Sequence, residues 1–243
     1  MKLVAAAAVS TTLVVVLGFV MVFPIFFGPA QVETKQRIML SFSVSESSDV
    51  VNWCKNLSSI LDKYDLSATV FIVGKVAEQN PECVRCFSDK VDVGSQTYSN
   101  SNLTSIPDYA VQLEEVRKGK LAVETAGNLI SKVFMAPNKA TDQNIYSLLS
   151  QNGILADFSY NSQYNVYSNT QFIKFDASVF DGASCSADFL LERDATSKLI
   201  ILHFDSGYPT KLIEDFITAL LTGQFDLVSA SEVTELELTV RGA

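Results

Sequence analysis

The sequence predicts an α/β chain folded as a distorted (β/α) barrel of about seven parallel strands, preceded by one N-terminal transmembrane helix. Three observations carry this reading. Short runs rich in β-branched and aromatic residues alternate with stretches of helical periodicity from Arg37 to Ser229, the pattern of a parallel sheet covered by helices. Seven or eight such units fall within roughly 210 residues, a density that suits a closed barrel. The first 30 residues hold one charged side chain, Lys2.

Leu3–Gly28 is almost purely apolar, interrupted only by Ser10, Thr11 and Thr12. As a helix it would span roughly 39 Å at about 1.5 Å per residue, more than a hydrocarbon core of about 30 Å. A retained anchor and a cleaved signal are the two readings. Gly28-Pro29-Ala30 offers small residues, but a signal's apolar region runs to about 7–15 residues, so the length favours the anchor. Pro24 is a place for the helix to kink or end. The expected organisation is therefore an anchor (or signal) over 1–30 and a barrel domain over 31–243. Lys2 on one side and Glu33, Lys35 and Arg37 on the other barely fix an orientation. Four cysteines lean the domain toward an extracytoplasmic, disulfide-permitting space. The expected location is a single-pass membrane protein with its domain outside the cytoplasm.

The elements follow in order. Arg37–Phe42 reads as a buried strand. Asp49–Leu61 sets Val50, Val51, Trp53, Cys54, Leu57, Ile60 and Leu61 at helical spacing, with Ser47, Ser48 or Asp49 to cap it. Ser67–Val73 is a second strand. Val76–Phe87 reads as a short helix in which Pro81 is tolerated only near a start or break. Lys90–Gln96 alternates as a strand. Pro107–Ala126 is the longest helix after the anchor, opened by Pro107-Asp108, with Glu114 and Lys118 at i,i+4. Lys132–Ala136 is a strand, and Thr141–Gln151 a helix ended by Asn152-Gly153. Ile154–Ser159 is a strand, followed by a Tyr/Asn/Ser-rich loop to Gln171. Phe172–Asp176 and Leu199–Phe204 are strands, Pro209–Leu221 is a helix closed by Gly223, and Phe225–Ser229 is the last strand. Ser231–Val233 opens a short tail.

Composition excludes several functions. The formal net charge is −9, which leaves no electrostatic footprint for nucleic acid. The chain holds a single histidine, so one copy cannot build a site that needs two His ligands.

The strand ends carry the informative words, because barrel chemistry sits where strands feed loops. They read Ser41-Phe42-Ser43-Val44-Ser45, then Val93-Gly94-Ser95-Gln96-Thr97-Tyr98-Ser99-Asn100. Phe134-Met135-Ala136-Pro137-Asn138, Ala156-Asp157-Phe158-Ser159-Tyr160 and Ile201-Leu202-His203-Phe204-Asp205 follow. In order and spacing, from about Gln36 to Val233, this resembles the polysaccharide deacetylase family (the NodB homology domain, carbohydrate esterase family four). In that family the first word is Thr-Phe-Asp-Asp-Gly, the second carries two His, the third has an Arg, and the last keeps its His.

The resemblance implies a divalent metal held by Asp and two His, a second Asp as base, and the late His as acid. Ser43 stands at the base position and Val44 at the metal-binding Asp. Gln96 and Asn100 replace the two His, and Met135 replaces the Arg. Amide oxygens are poor zinc ligands. The resemblance therefore implies a deacetylase fold without its chemistry, holding no metal and no other cofactor. His203 is the relic acid, a ligand-binding group or a packed strand histidine. Val44, Gln96, Asn100, Met135, Asn138, Asp157 and Asp205 are expected around the old groove. The expected role is binding of an envelope glycan, or a structural place in an assembly of membrane or surface proteins, with lipid contacted through the N-terminal helix. An active deacetylase with a site displaced to Glu46, Asp157, Asp205 and His203 is the alternative.

Other features admit plainer readings. Cys83-Val84-Arg85-Cys86 has no second Cys pair to make a zinc site. Structural disulfides among Cys54, Cys83, Cys86 and Cys185 are favoured, with three pairings open. Asn56-Leu57-Ser58 and Asn102-Leu103-Thr104 match glycosylation sequons. Tyr160, Tyr164 and Tyr167, with Asn161, Gln163, Asn165 and Asn169, suit sugar stacking and hydroxyl bonding, or an ordinary surface loop.

Overall fold

The computed structural model describes residues 35–159, 163–169, 171–191 and 199–241. The apolar N-terminal run, Tyr160 and Asn161 lie outside them. Among the described residues no helix is long and apolar enough to cross a membrane.

The strands are β1 (Gln36–Val44), β2 (Ala68–Ile72), β3 (Val91–Ser95), β4 (Val133–Phe134), β5 (Ala156–Asp157), β6 (Gln163–Ser168), β7 (Gln171–Asp176), β8 (Ser178–Asp181), β9 (Ile200–Asp205) and β10 (Phe225–Leu227). The helices are α1 (Val50–Lys63), α2 (Gly74–Gln79), α3 (Glu82–Arg85), α4 (Tyr109–Gly127), α5 (Gln143–Gln151), α6 (Ala187–Leu191), α7 (Thr210–Leu220) and α8 (Ala230–Arg241).

β1 sits mid-sheet because it is apolar on both faces. Ile38, Leu40, Phe42 and Val44 pack with Trp53, Leu57 and Leu61 of α1, while Met39 faces an inner cluster with Phe71, Met135, Phe158 and Ile201. The Trp53 indole N–H donates to the Tyr208 carbonyl at 2.8 Å, tying α1 to the end of the chain's last long strand.

The sheet runs β7-β6-β5-β4-β3-β2-β1-β9-β8, with β10 also on β1. Pairing is parallel from β5 through β1 to β8. β6 is antiparallel to both β5 and β7. The result is a nearly closed, barrel-like mixed sheet rather than the all-parallel barrel expected. The difference comes from β6, a segment whose composition reads as a loop. Tyr164 and Val166 alternate inward to the core while Gln163, Asn165 and Tyr167 take the positions between. Those polar residues masked a period of two.

Further elements depart from expectation. The single helix over Val76–Phe87 is two, because Pro81 caps α3 and cannot continue α2. β8 and α6 were not anticipated. The expected tail is the helix α8, opened by a capping box. Ser229 N–H donates to the Glu232 carboxylate at 2.6 Å, and Glu232 N–H to the Ser229 hydroxyl at 3.4 Å.

Glycine matters most where α2 meets α4. A Cβ on Gly74 would lie 2.6 Å from the Gly119 Cα, and one on Gly119 would lie 2.2 Å from the Gln96 carbonyl oxygen. This close approach seats the segment after β3 that carries Gln96 and Asn100.

Candidate functional site

Parallel strands present their carboxyl ends on one face, and loops there form the usual site of such sheets. In this chain β1 delivers Ser43 and Ser45, and the segment after β3 delivers Gln96 and Asn100. The turn after β4 delivers Met135 through Lys139, β8 ends at Asp181, and β9 ends with His203 and Asp205. These residues line one cavity of about 330 Å³. Residues up to 162 positions apart in sequence meet there because β1 and β9 are neighbours, with Ser41 opposite His203 and Ser43 opposite Asp205.

The contacts decide what the cavity can do. Gln96 donates its side-chain N–H to the Ser43 hydroxyl at 3.1 Å and to the Phe71 carbonyl at 3.1 Å. The Ser43 hydroxyl faces the Met135 sulfur at 3.8 Å. An amide donor and a thioether are no base, so Ser43 has no group at hand to take its proton. His203 is turned elsewhere. Its Nδ1 lies 3.1 Å from the Ser41 hydroxyl and its Nε2 3.6 Å from an Asp205 oxygen. Ser41 is completely buried, so this Ser–His–Asp line has no nucleophile open to a ligand. The His203 contact holds the Asp205 carboxyl below its usual range, against desolvation and with help from Lys139.

Two expected site residues do not reach the cavity. Val44 is fully buried and packs with α1, because adjacent strand residues face opposite sides and Ser43 takes the groove side. Asp157 is fully buried away from the cavity. Its Oδ1 accepts from the Ser159 N–H at 3.2 Å and from the Ser159 hydroxyl. Burial pushes its pKa up to about 7. Glu46 forms a surface ion pair with Lys75 at 2.9 Å. The displaced site therefore does not assemble, since only Asp205 and His203 of its four members share a cavity.

Ser45, Lys139 and Asp181 were missed. Asp181 had no signal, since it arrives on an unanticipated strand. Lys139 follows a Pro-Asn turn pair, a cue for unusual backbone. Asn100, Asn138 and Lys139 all have positive φ, of 61°, 55° and 54°.

The aromatic–amide segment is no sugar platform at Tyr164. That ring is buried, stacked between Phe158 at 5.5 Å and Phe175 at 5.3 Å, and its hydroxyl donates to Glu237 at 3.0 Å. Of the cysteines, Cys54 and Cys83 form a disulfide, and Cys86 is a free thiol.

The donor set does not fit a divalent metal. Among the described residues no group of three or more His, Cys, Asp and Glu side chains stands together to hold one. The cavity's two carboxylates, Asp181 and Asp205, stand with one imidazole already engaged with Ser41 and form no such group, while the positions at 43, 96 and 100 hold a hydroxyl and two amides, a poor set for zinc.

The sequence profile of the polysaccharide deacetylase family matches residues 30–156. No curated protein matches the chain. Among solved structures, a CE4 family pseudoenzyme from Bacillus anthracis superposes with a TM-score of 0.60 at 16% identity, over 82% of this chain and 65% of its own. This chain thus spans less than two thirds of that protein's length. A family 4 carbohydrate esterase from Streptomyces lividans, solved with acetate, gives 0.57 at 20% identity, over 78% and 90%. A peptidoglycan deacetylase from Bacillus subtilis gives 0.60 at 18%, over 86% and 94%. At these identities the likeness is one of fold.

Proposed function

From the premise that this chain belongs to the polysaccharide deacetylase family, we propose that it is a member that binds glycan in its strand-end groove without metal-dependent hydrolysis. One observation carries the reading. The positions where the family sets its base and its two metal-binding His hold Ser43, Gln96 and Asn100, and Gln96 spends its amide N–H on the Ser43 hydroxyl and the Phe71 carbonyl. Amide hydrolysis needs an activated water and an acid for the leaving amine. Ser43 lacks a proton acceptor, and His203 retains at most the acid half of that pair. The groove keeps what binding needs: hydroxyls and amides from Ser43, Ser45, Asn100 and Asn138, beside the apolar Met135 and Pro137. Such a lining suits a polyol with a hydrophobic ring face. The neighbours support the reading, for one is named a pseudoenzyme and a mutant of it is described as having restored activity.

We further propose that Leu3–Gly28 holds the protein on a membrane, with the domain outside the cytoplasm as an accessory part of an envelope or membrane-protein assembly. The Cys54–Cys83 disulfide agrees with an oxidising compartment.

The test has two parts. Purified protein incubated with zinc and N-acetylglucosamine oligomers is expected to hold no stoichiometric zinc and to release no acetate, while retaining acetylated or acidic glycan on a column. Acetate release overturns the silent reading, and failure to retain any glycan overturns the binding reading. Carbonate extraction of native membranes is expected to leave the protein in the pellet. Recovery in the soluble fraction with a new N-terminus near Gln31 would instead mark a cleaved signal.

A further inference from the structure

Lys139 carries two unfavourable features with no internal return. Its φ is 54°, directly after Asn138 at 55°, in the region where side chains other than Gly, Asn and Asp are rarely placed. Its side chain is half-buried, and burial pushes its ammonium below the usual lysine range while Asp205 and Asp181 act the other way. Yet among the described residues its ammonium makes no ion pair and no side-chain hydrogen bond. It is also the one Lys or Arg among the residues that line the groove. Backbone strain and partial desolvation of an unpaired charge, at the rim of one cavity, are the marks of a group kept for a ligand.

We propose that Lys139 is the anion-binding residue of this groove, and that the glycan bound there is an acidic one whose carboxylate docks on the Lys139 ammonium. The inference rests on the glycan-binding reading and names its ligand class. A carboxylate is the partner that an ammonium with no bonded acceptor gains most from, since charge-assisted bonds are the strong ones. Asp181 and Asp205 do not substitute for it. Both are exposed, and they oppose the desolvation of Lys139 without forming an ion pair with it. The hydroxyls and amides of Ser45, Asn100 and Asn138 remain for the sugar's hydroxyl groups. The cavity, at about 330 Å³, lies at the small end of the roughly 300–1,000 Å³ range of ligand sites, so one charged sugar unit fills it.

The test uses the full chain in detergent and two matched tetrasaccharides. Hyaluronan tetrasaccharide alternates N-acetylglucosamine with a carboxylate-bearing sugar, and the N-acetylglucosamine tetramer has no carboxylate. Titration calorimetry at low salt should show the hyaluronan probe binding at least tenfold tighter. Lys139→Gly should abolish that preference while melting no lower than the natural chain, because glycine accepts the positive φ. Lys139→Arg should keep the preference. Equal affinity for the two probes overturns the anion site and leaves glycan binding standing. Binding of neither overturns both. A preference that survives in Lys139→Gly, or a lower melting temperature in that variant, assigns Lys139 to the scaffold and ends the proposal.

Discussion

Asp157→Asn should make the protein more stable at pH 8 and leave it nearly unchanged at pH 4. Asp157 is completely buried on β5. Its Oδ2 has no hydrogen-bond partner, and neither does Nδ2 of Asn165, the residue directly opposite on β6. Desolvation raises the pKa from 3.8 to about 7, with the Ser159 hydroxyl and N–H opposing it in part. The folded state therefore holds a proton that the unfolded chain gives up between pH 3.8 and about 7. Stability from this group is complete below pH 3.8, falls as pH rises, and is lost once pH passes about 7. At about 1.4 kcal/mol per pKa unit, the shift sets a ceiling of about 4 kcal/mol. An amide carries no charge at any of these pH values and keeps an oxygen for Ser159. Urea unfolding of the two proteins from pH 4 to pH 8 isolates the effect, because every other titrating group cancels in the difference. The variant's advantage should grow through pH 5–7 and level off above it. A difference that stays flat with pH would refute the argument, since Asp157 would then be titrating at an ordinary value.

Three other outcomes follow from packing. Val44→Asp should destabilise the fold by at least about 4 kcal/mol, because it sets an unpaired charge among Trp53, Leu57 and Ile72; a stable, soluble variant in thermal melts would contradict the burial. Gly119→Ala should cost about 3 kcal/mol, the upper end for overpacking, because its Cβ meets backbone at Gln96 rather than a side chain that can swing away. Denaturant midpoints measure this, and glycan affinity should fall with it as the Gln96 segment moves. Reducing the Cys54–Cys83 bond, which closes a separation of 29 residues, should cost about 3–4 kcal/mol; melting with and without reductant, with Cys54→Ser as control, checks it.

Much of this architecture was legible along the chain. β1, β2 and β9 each hold a short, mostly apolar stretch buried on both faces, and that length together with β-branched and aromatic content reads as strand. α1 announced itself through the spacing of Val50, Trp53, Cys54, Leu57, Ile60 and Leu61, all of which it buries. The groove was legible only through a family resemblance, because no local pattern tells that Ser43, Gln96, Asn138 and His203 share a cavity. β6 was hidden because its outward positions are polar enough to pass for a loop, and only the partner strand shows that Tyr164 and Val166 turn inward together. α8 had a readable start in Ser229 and Glu232, a signal overlooked because the residues after it lack a strong apolar stripe. Lys139 and Asp181 mark the limit of such reading. Their place depends on strand order, which neither propensity nor periodicity encodes.

Val44 shows why placing the family's metal ligands in this groove would take more than a set of side-chain exchanges. Two carboxylates on consecutive residues can serve one groove only if the strand leaves its pleat between them, since neighbours in a strand point to opposite faces. Here β1 stays paired through its last residue. Val44 lies opposite Ile72, and its carbonyl accepts from the Val73 N–H at 3.1 Å. The apolar side chain at 44 and the extended backbone support each other, one filling the core and the other completing the ladder. A carboxylate restored at 43, with histidines at 96 and 100, would enter the groove by side-chain change alone. A carboxylate at 44 would enter the core instead, so the third ligand of a metal site requires the end of β1 to be rebuilt. The strand ends converge on one groove while the backbone at the end of β1 keeps the extended form that packs Val44 into the core.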